Sequence, residues 1–341
     1  MSNDHGALTF ATDLARHATY VLPPLTRRRP GVQVTAPRKI EPGRFYMVTR
    51  RCLMRLFLLR PDDETNNAFV YCLADAALYF GIDILNACAM SNHYHAVIYD
   101  RDGRLPEFMH RFHTMLARSQ NALRGRWENL WSTEEPCVVE LVNREDVVRA
   151  IVYVATNPVN DHLVEKVHHW PGVNGYSALV NGKHFTATRP HHFFRPNGPM
   201  PDEVTMDLVI PPELGPGDAI VREVREGVAA VEARQAEERR VSGQRVLGRR
   251  RILDQSWCAS PTTFDPRRTL RPRVAARNKW ARIAALQRNQ EFISDYRLSR
   301  RLWLAGFPTT FPSGTYWLRR FARVQTASPS EVRAGPAIPW S

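Results

Sequence analysis

The 341-residue sequence contains no continuous apolar stretch of about 18 residues, the length that a membrane-spanning helix requires. Its first residues also lack the basic segment and apolar core of a secretory signal peptide. These two absences argue against a membrane partner and predict a cytoplasmic protein.

Cysteine is scarce, and the five cysteines show none of the close pairing that zinc ribbons and disulfide-rich domains require. The sequence also has no Walker loop, no HExxH and no GxSxG motif. Nucleotide hydrolysis, zinc-dependent proteolysis and serine-hydrolase chemistry are therefore not indicated. The cysteines are Cys52, Cys72, Cys88, Cys137 and Cys258.

Acidic residues are rare in the last third of the chain. Residues 241–341 contain 19 Lys and Arg but five Asp and Glu, a net charge of +14, whereas residues 1–240 contain 28 and 29. Arginine offers forked donors to phosphate, and the interleaved aromatic residues offer stacking surfaces for bases. This composition predicts a nucleic-acid partner, with a solvated basic tail as the alternative. The candidate DNA-binding residues are Arg249, Arg250, Arg251, Arg267, Arg268, Arg271, Arg273 and Trp280.

His93 and His95 stand two positions apart in an apolar run. Successive side chains of a strand point to opposite faces, so these histidines project from one face and can hold a metal ion between them. The alternative interpretation is two histidines that bond to water or backbone at a strand end. Cys88 lies at an odd spacing from His93, so its thiol would face away from the pair if one strand ran straight through both residues.

A second candidate group lies further along the chain. Arg149, Tyr153 and Asn157 follow one another at intervals of four residues, which places them on one stripe of a helix, while the apolar residues form another face. A phenol and an amide presented together, ahead of Pro158, which is expected to end the helix, are typical of a functional site. Arg149 is open to two interpretations, a phosphate ligand or an exposed helix arginine.

Apolar periodicity predicts strands and helices in the order β-α-β-β-α-β-α from residue 45 onwards. This is the order of a ferredoxin-like, split βαβ domain with an antiparallel sheet and one appended helix, in the α+β class. A mainly helical, basic C-terminal extension is predicted to follow. The predicted strands are 45–52, 82–90, 95–99 and 137–142, and the predicted helices are 63–79, 106–123, 219–240 and 274–305, with the Tyr153 helix beginning after Asn143.

Two segments resemble a known family. Residues 90–98 resemble the M-P-N-H-V-H-L strand of the single-tyrosine HUH transposases, with Ser91 in place of the proline. Tyr153, Asn157 and Pro158, followed by Leu163, resemble the Y-I-x-x-N-P-V-x-x-x-L-V helix end of the same family. The REP-associated tyrosine transposases, a bacterial subgroup, are the most similar members. The resemblance covers about residues 40 to 180.

The resemblance implies that residues 41–185 form an HUH single-tyrosine transposase domain. Residues 1–40 mix proline, arginine and small residues and are predicted to form an irregular arm. Residues 186–216 are rich in proline and are predicted to be a linker, and residues 217–341 are the helical, basic and aromatic extension.

The resemblance also implies a reaction. Tyr153 would attack single-stranded, hairpin-forming DNA and give a 5′-phosphotyrosine intermediate, so that strands are transferred by transesterification. A tyrosine with a pKa of about 10 is a weak nucleophile at neutral pH unless a cation assists it. His93, His95 and the amide oxygen of Asn157 are the predicted ligands of that cation, and such donors suit Mg²⁺ or Mn²⁺.

Two further functions are compatible with the sequence. A DNA-binding protein could use the same fold without catalysis, although the presence of all four site residues favours an enzyme. A metal-dependent phosphoesterase could use the two histidines with Asp100 and form no covalent intermediate. The sequence leaves a monomer and a homodimer equally open.

Overall fold

The computed structural model describes residues 37–263 and 272–328. Its strands are β1 (Arg44–Arg51), β2 (Ile82–Met90), β3 (His93–Asp100), β4 (Cys137–Leu141), β5 (Phe185–Thr188), β6 (Glu203–Met206) and β7 (Val274–Ala275). Its α-helices are α1 (Asp63–Phe80), α2 (Leu105–Arg124), α3 (Arg144–Asn160), α4 (Tyr176–Asn181), α5 (Gly217–Ser242), α6 (Arg249–Leu253), α7 (Lys279–Leu304) and α8 (Trp317–Phe321). Arg267, Arg268, Arg271 and residues 1–36 of the predicted arm lie outside the described residues.

Four antiparallel strands form the central sheet in the order β2-β3-β1-β4. The two strands of each β-α-β connection are therefore separated by a third strand, which is the split βαβ arrangement of ferredoxin-like folds. The α+β class and the ferredoxin-like topology predicted from the sequence are confirmed. Strand β3, which carries both histidines, is an interior strand with a hydrogen-bonded neighbour on each side.

Local capping signals set the limits of the first helix as predicted. The Asp62 carboxylate accepts a hydrogen bond from the backbone N–H of Thr65 at 2.9 Å, which satisfies a donor in the first turn of α1. Gly81 ends the helix in the left-handed conformation, with φ of 65°, which glycine adopts without strain.

Pro158 does not end the Tyr153 helix as predicted. Helix α3 continues to Asn160, and the backbone N–H of Asp161 still donates to the carbonyl of Asn157 at 3.1 Å. Pro158 lacks only its own backbone N–H, so a single carbonyl in the preceding turn loses its helical hydrogen bond. The last turn therefore closes beyond Pro158.

Each face of the sheet packs against a different set of helices. Tyr94 and Ile98 of β3 are buried in a core with α1 and α2, whereas Val97 and Tyr99 belong to a core with α3 and α5. Side chains alternate along a strand, so His95 shares the face of Val97 and lies beneath α3. The histidine strand and the tyrosine helix are thus two layers of one core.

The C-terminal third is joined to this sheet. Strand β7 pairs in parallel with β4, and the backbone N–H of Glu140 donates to the carbonyl of Arg273 at 2.9 Å. The predicted helix over residues 274–305 is therefore divided into a short strand and helix α7. Asn278 begins that helix by accepting from the backbone N–H of Trp280 at 2.9 Å. The open edge of β4 supplies backbone partners that local periodicity does not reveal.

The segment predicted as a linker over residues 186–216 also carries structure. Strands β5 and β6 form an antiparallel pair with Ala187 and Val204 buried. Asn67 of α1 binds this pair, donating to the carbonyl of Thr188 at 2.8 Å and accepting from its N–H at 3.0 Å. Four-residue strands between prolines carry too little alternation to be recognised in the sequence.

Helices α5 and α7 are the longest described, with 26 residues each. Both carry charged residues along most of their length. Of the described helices, none is sufficiently long and apolar to cross a membrane.

A buried histidine makes the stability of the fold depend on pH. His113 of α2 is buried, and its Nε2 lies 2.6 Å from the hydroxyl of Tyr94. Burial, followed by the charges of Arg50 and His110, holds the pKa of His113 well below 6.5. The folded protein therefore keeps a neutral imidazole at a pH where the unfolded chain binds a proton.

We predict that the free energy of unfolding falls as the pH drops below about 6.5, by up to about 1.4 kcal/mol per pH unit for each such histidine. His113→Gln removes one proton-binding group and should make this slope shallower by about one proton. Urea denaturation between pH 7.5 and pH 5 measures it. The exposed His191→Gln is the control. An unchanged slope in His113→Gln would contradict the assignment.

Candidate active site

His93 and His95 lie side by side on β3 and form the centre of the candidate site. Their ring centroids are 4.8 Å apart, with the ring planes at 87°. His95 is buried and His93 is half-buried, so the pair reaches from the core toward solvent. The expectation that both project from one face of a strand agrees with this placement.

Thr49 of β1 orients the ring of His95. The two residues are directly paired across the β1–β3 ladder, and the Thr49 hydroxyl lies 2.7 Å from Nδ1 of His95. When Nδ1 donates to the hydroxyl oxygen, Nε2 carries the lone pair that binds a cation. Metal-binding histidines commonly use their second nitrogen in this way, because the bond fixes both the tautomer and the ring orientation.

His93 is oriented by its neighbour in the β2–β3 turn. Nδ1 of His93 lies 2.6 Å from the side-chain oxygen of Asn92. With the amide in this orientation, the oxygen accepts and Nδ1 carries the proton, so the lone pair is on Nε2.

The protonation state of His95 suits metal binding. Burial lowers the pKa of His95 well below 6.5, and the charges of His93 and Arg51 lower it further. The imidazole is therefore neutral at neutral pH, which is the form that binds metals.

Tyr153 of α3 contacts His95 while remaining open to solvent. The Tyr153 ring centroid is 5.4 Å from that of His95, with the planes at 78°. The side chain is 45% exposed, although Val154 and Ala155 beside it are fully buried. The ring thus lies at the border of the core, where a large substrate can reach it.

Asn157 lies one helical turn beyond Tyr153, on the same stripe of α3. It is buried, and its side-chain oxygen has no hydrogen-bond donor among the described residues. Leaving a buried carbonyl oxygen unsatisfied is costly, and such atoms commonly bind an ion or a water. This oxygen is suited to bind a cation.

The available donors fit a hard divalent cation better than zinc. Across residues 37–263 and 272–328, no three His, Cys, Asp or Glu side chains converge as metal ligands. A cation beside His93 and His95 therefore needs the Asn157 amide, water or substrate oxygen as its remaining ligands. Such a mixed, open ligand set is typical of Mg²⁺ or Mn²⁺.

Arg149 lies on the same helix stripe but forms an ion pair with Asp146. Asp146 is buried and also accepts from the backbone N–H groups of Asn143 at 3.1 Å and Arg277 at 2.9 Å. One carboxylate thus connects the start of α3, the guanidinium of Arg149 and the C-terminal third. About half of the Arg149 side chain remains exposed.

The candidate DNA-binding residues that the structure describes divide between two places. Arg249, Arg250 and Arg251 are exposed on α6. The backbone N–H groups of Leu247 and Gly248 just before α6 donate to the carbonyls of residues 162 and 163, each at 2.9 Å, so α6 lies beside the end of α3 that carries Asn157. Arg273 precedes β7, and Trp280, 72% exposed, lies in the first turn of α7.

Neither Cys88 nor Asp100 lies where the sequence interpretations that involve them would place it. Cys88 pairs directly with His95 across the β2–β3 hairpin, so it shares the histidine face, because the chain reverses at Ser91 and Asn92 instead of running straight. Burial raises the pKa of the Cys88 thiol, which is fully enclosed. Asp100 lies at the opposite end of β3 and on the other face, where it accepts from the backbone N–H groups of Arg104 and Leu105 at 2.7 and 2.9 Å.

Sequence reasoning missed two residues of this site, Thr49 and Arg51. Arg51 is paired with His93 in the β1–β3 ladder and therefore lies on the same face. Both residues alternate with the buried Val48 in a strand that the sequence predicts. The alternation of these two side chains with Val48 could be read from the sequence. Their position opposite the histidines depends on the register between β1 and β3.

Comparisons with known proteins identify similar structures but no family model. No protein-family model and no curated protein matches the sequence. A REP-associated tyrosine transposase bound to a REP hairpin is 15% identical, with a TM-score of 0.37, over 44% of this chain and 86% of that chain. A predicted transposase from Deinococcus radiodurans R1 is 17% identical, with a TM-score of 0.24, over 34% of this chain and 85% of that chain.

The Thr49 contact leads to a prediction about metal affinity. Thr49→Val removes the partner of His95 Nδ1 and should weaken Mn²⁺ binding by about tenfold, the lower end of the range for such outer partners. Thr49→Ser keeps the hydroxyl and serves as the matched control. Titration of Mn²⁺ followed by electron paramagnetic resonance measures the affinity. Equal affinities for the two variants would mean that the hydroxyl does not orient a metal ligand.

Proposed function

We propose that this protein is a metal-dependent nuclease and strand transferase that cuts single-stranded, hairpin-forming DNA with Tyr153 as its nucleophile. The observation that carries the proposal is the position of Tyr153, exposed and in ring contact with His95. The unsatisfied oxygen of Asn157 one turn away supports it.

In the proposed reaction, the Tyr153 hydroxyl oxygen bonds to the phosphorus of one phosphodiester and loses its proton. The bond from phosphorus to the 3′-oxygen of the preceding nucleotide breaks, and that oxygen takes up a proton. The products are a 5′-phosphotyrosine and a free 3′-hydroxyl. Attack by another 3′-hydroxyl reverses the step and rejoins a strand, so the phosphoester bond is never hydrolysed.

His93, His95 and Asn157 would hold a divalent cation next to the scissile phosphate. The bound cation would neutralise phosphate charge and favour the phenolate. Thr49 and Asn92 keep both imidazoles in the orientation that this requires. The depressed pKa of His95 keeps that ligand neutral without a metal.

Exposed arginines supply the proposed binding surface for DNA. The three arginines of α6 project from a short helix anchored by the buried Ile252. Because α6 adjoins the end of α3, a strand bound there would lead toward Tyr153. Arginine binds phosphate through paired donors, and the charge attracts single strands of any sequence.

The nucleophile is tested by Tyr153→Phe. Incubation with a labelled hairpin oligonucleotide and Mn²⁺ should give a covalent protein–DNA adduct with the wild type and none with the variant. DNA affinity should stay within about twofold, because only one hydroxyl is removed. Tyr79→Phe, at an exposed position of α1, is the matched control. Denaturing gel electrophoresis separates the adduct.

Two outcomes would redirect the assignment. Full cleavage by Tyr153→Phe would favour a phosphoesterase without a covalent intermediate. Tight DNA binding by the wild type, with neither cleavage nor adduct at any metal concentration, would favour a DNA-binding protein that acts by occupancy.

The binding surface is tested by replacing Arg249, Arg250 and Arg251 with glutamine. Affinity for single-stranded DNA should fall, and the slope of log affinity against log salt should become shallower by about 0.7 for each phosphate that the arginines no longer neutralise. Neutralising the exposed Arg118, Arg195 and Arg222 removes the same charge elsewhere and is the control. Point substitutions are preferable to truncation, since residues 274–275 form a strand of the sheet. Equal slopes for both triple variants would exclude α6 from the interface.

A further inference from the structure

A small cavity lies between helix α7 and the edge of the sheet formed by β1 and β4. Its volume is about 40 Å³, and its lining includes Arg38, Tyr46, Glu140, Arg273 and Asn289. A single water needs about 10–15 Å³ by this measure, so the space fits about three water-sized groups. A tetrahedral oxyanion matches this size, whereas a nucleobase is too large.

The charges around this cavity are unbalanced. Among the described residues, no carboxylate oxygen lies within 4.0 Å of the guanidinium of Arg38 or Arg273. Glu140 is engaged by Arg44 at 3.7 Å, and the adjoining Lys39 is paired with Glu41 at 2.9 Å. Two cations thus line the cavity without a carboxylate in ion-pair range of either guanidinium. Such an arrangement is costly unless an anion joins it.

The two arginines also influence each other. Burial lowers the pKa of Arg38, and the positive charge of Arg273 lowers it further, opposed in part by Glu135. An anion between two guanidiniums would remove this repulsion and accept paired hydrogen bonds from both.

Backbone contacts position both arginines before any ligand arrives. The carbonyl of Arg273 accepts from the backbone N–H of Glu140 at 2.9 Å. Two residues after Arg38, the N–H of Ile40 donates to the carbonyl of Gly314 at 3.0 Å. A Cβ on Gly314 would lie 2.6 Å from the side chain of Lys39, and its φ is 86°, so only glycine suits this approach.

We propose that this cavity is an oxyanion site in which Arg38 and Arg273 together bind one phosphate group. Tyr46 alternates with Thr49 along β1 and faces the α1 and α2 side of the sheet, so the cavity lies on the opposite face from the histidines. The bound group is either a phosphate of the DNA backbone or a free inorganic phosphate. The site is separate from Tyr153 and does not depend on the proposed reaction.

The first experiment titrates the full-length protein with inorganic phosphate at constant ionic strength, with chloride as the balancing salt. The unfolding temperature of the wild type should rise and saturate. Arg38→Gln and Arg273→Gln should each weaken the apparent phosphate affinity by about tenfold or more, because each removes a charge-assisted contact. Arg118→Gln should behave as the wild type. If phosphate does not raise the unfolding temperature of the wild type beyond the effect of chloride, the proposal is overturned, whatever the variants show.

The second experiment distinguishes the sources of the phosphate, using Tyr153→Phe protein so that no DNA is cut. If a DNA phosphate occupies the site, Arg38→Gln and Arg273→Gln should each make the salt dependence of oligonucleotide binding shallower by about 0.7. The double variant should add little, because both arginines bind one phosphate. Unchanged DNA binding with weakened phosphate binding identifies a free phosphate as the ligand. If neither changes, the cavity is only a packing gap and the proposal fails.

Discussion

The antiparallel pairing of β3 with β1 is the constraint on which the candidate site depends. It places Thr49 opposite His95 and Arg51 opposite His93, so that β1 supplies both the orienting hydroxyl and a nearby positive charge. A shift of one residue would turn every side chain of β3 to the other face and bury the histidines against α1 and α2. Because β3 has hydrogen-bonded neighbours on both edges, such a shift would disrupt two ladders at once.

The position of Tyr153 is set by contacts on both sides of α3. Asn86 of β2 donates to the carbonyl of Ile151 at 3.1 Å, and Asn174 donates to the carbonyl of Ala155 at 2.9 Å, one turn later. On the outer side, a Cβ on Gly227 of α5 would lie 2.7 Å from a methyl group of Val152, so the two helices are in close contact there. The tyrosine helix is therefore clamped between the sheet and α5, which favours a preorganised nucleophile.

The sequence predicts the sheet topology and the facing of the candidate residues more successfully than the structure of the C-terminal region, for a physical reason. Strand alternation and the i, i+4 stripe of α3 are local properties, so the facing of His93 and His95 and the exposure of Tyr153 could be predicted from spacing alone. The predicted roles of His93, His95, Tyr153 and Asn157 stay predictions. The position of Cys88 depended on a hairpin reversal, and strand β7 depended on an edge of β4 that is distant in sequence. Pairing between segments that are distant in sequence produces no periodic pattern of apolar residues from which it could be predicted.

The most direct test of the account is to locate the covalent adduct by mass spectrometry after digestion with trypsin and nuclease. The tryptic peptide of residues 150–166 contains Tyr153 as its single tyrosine. After incubation with hairpin DNA and Mn²⁺, this peptide should carry a nucleotide joined through a 5′-phosphate. A nucleotide on a different peptide, or cleaved DNA with no modified peptide, would contradict the central claim that Tyr153 is the nucleophile.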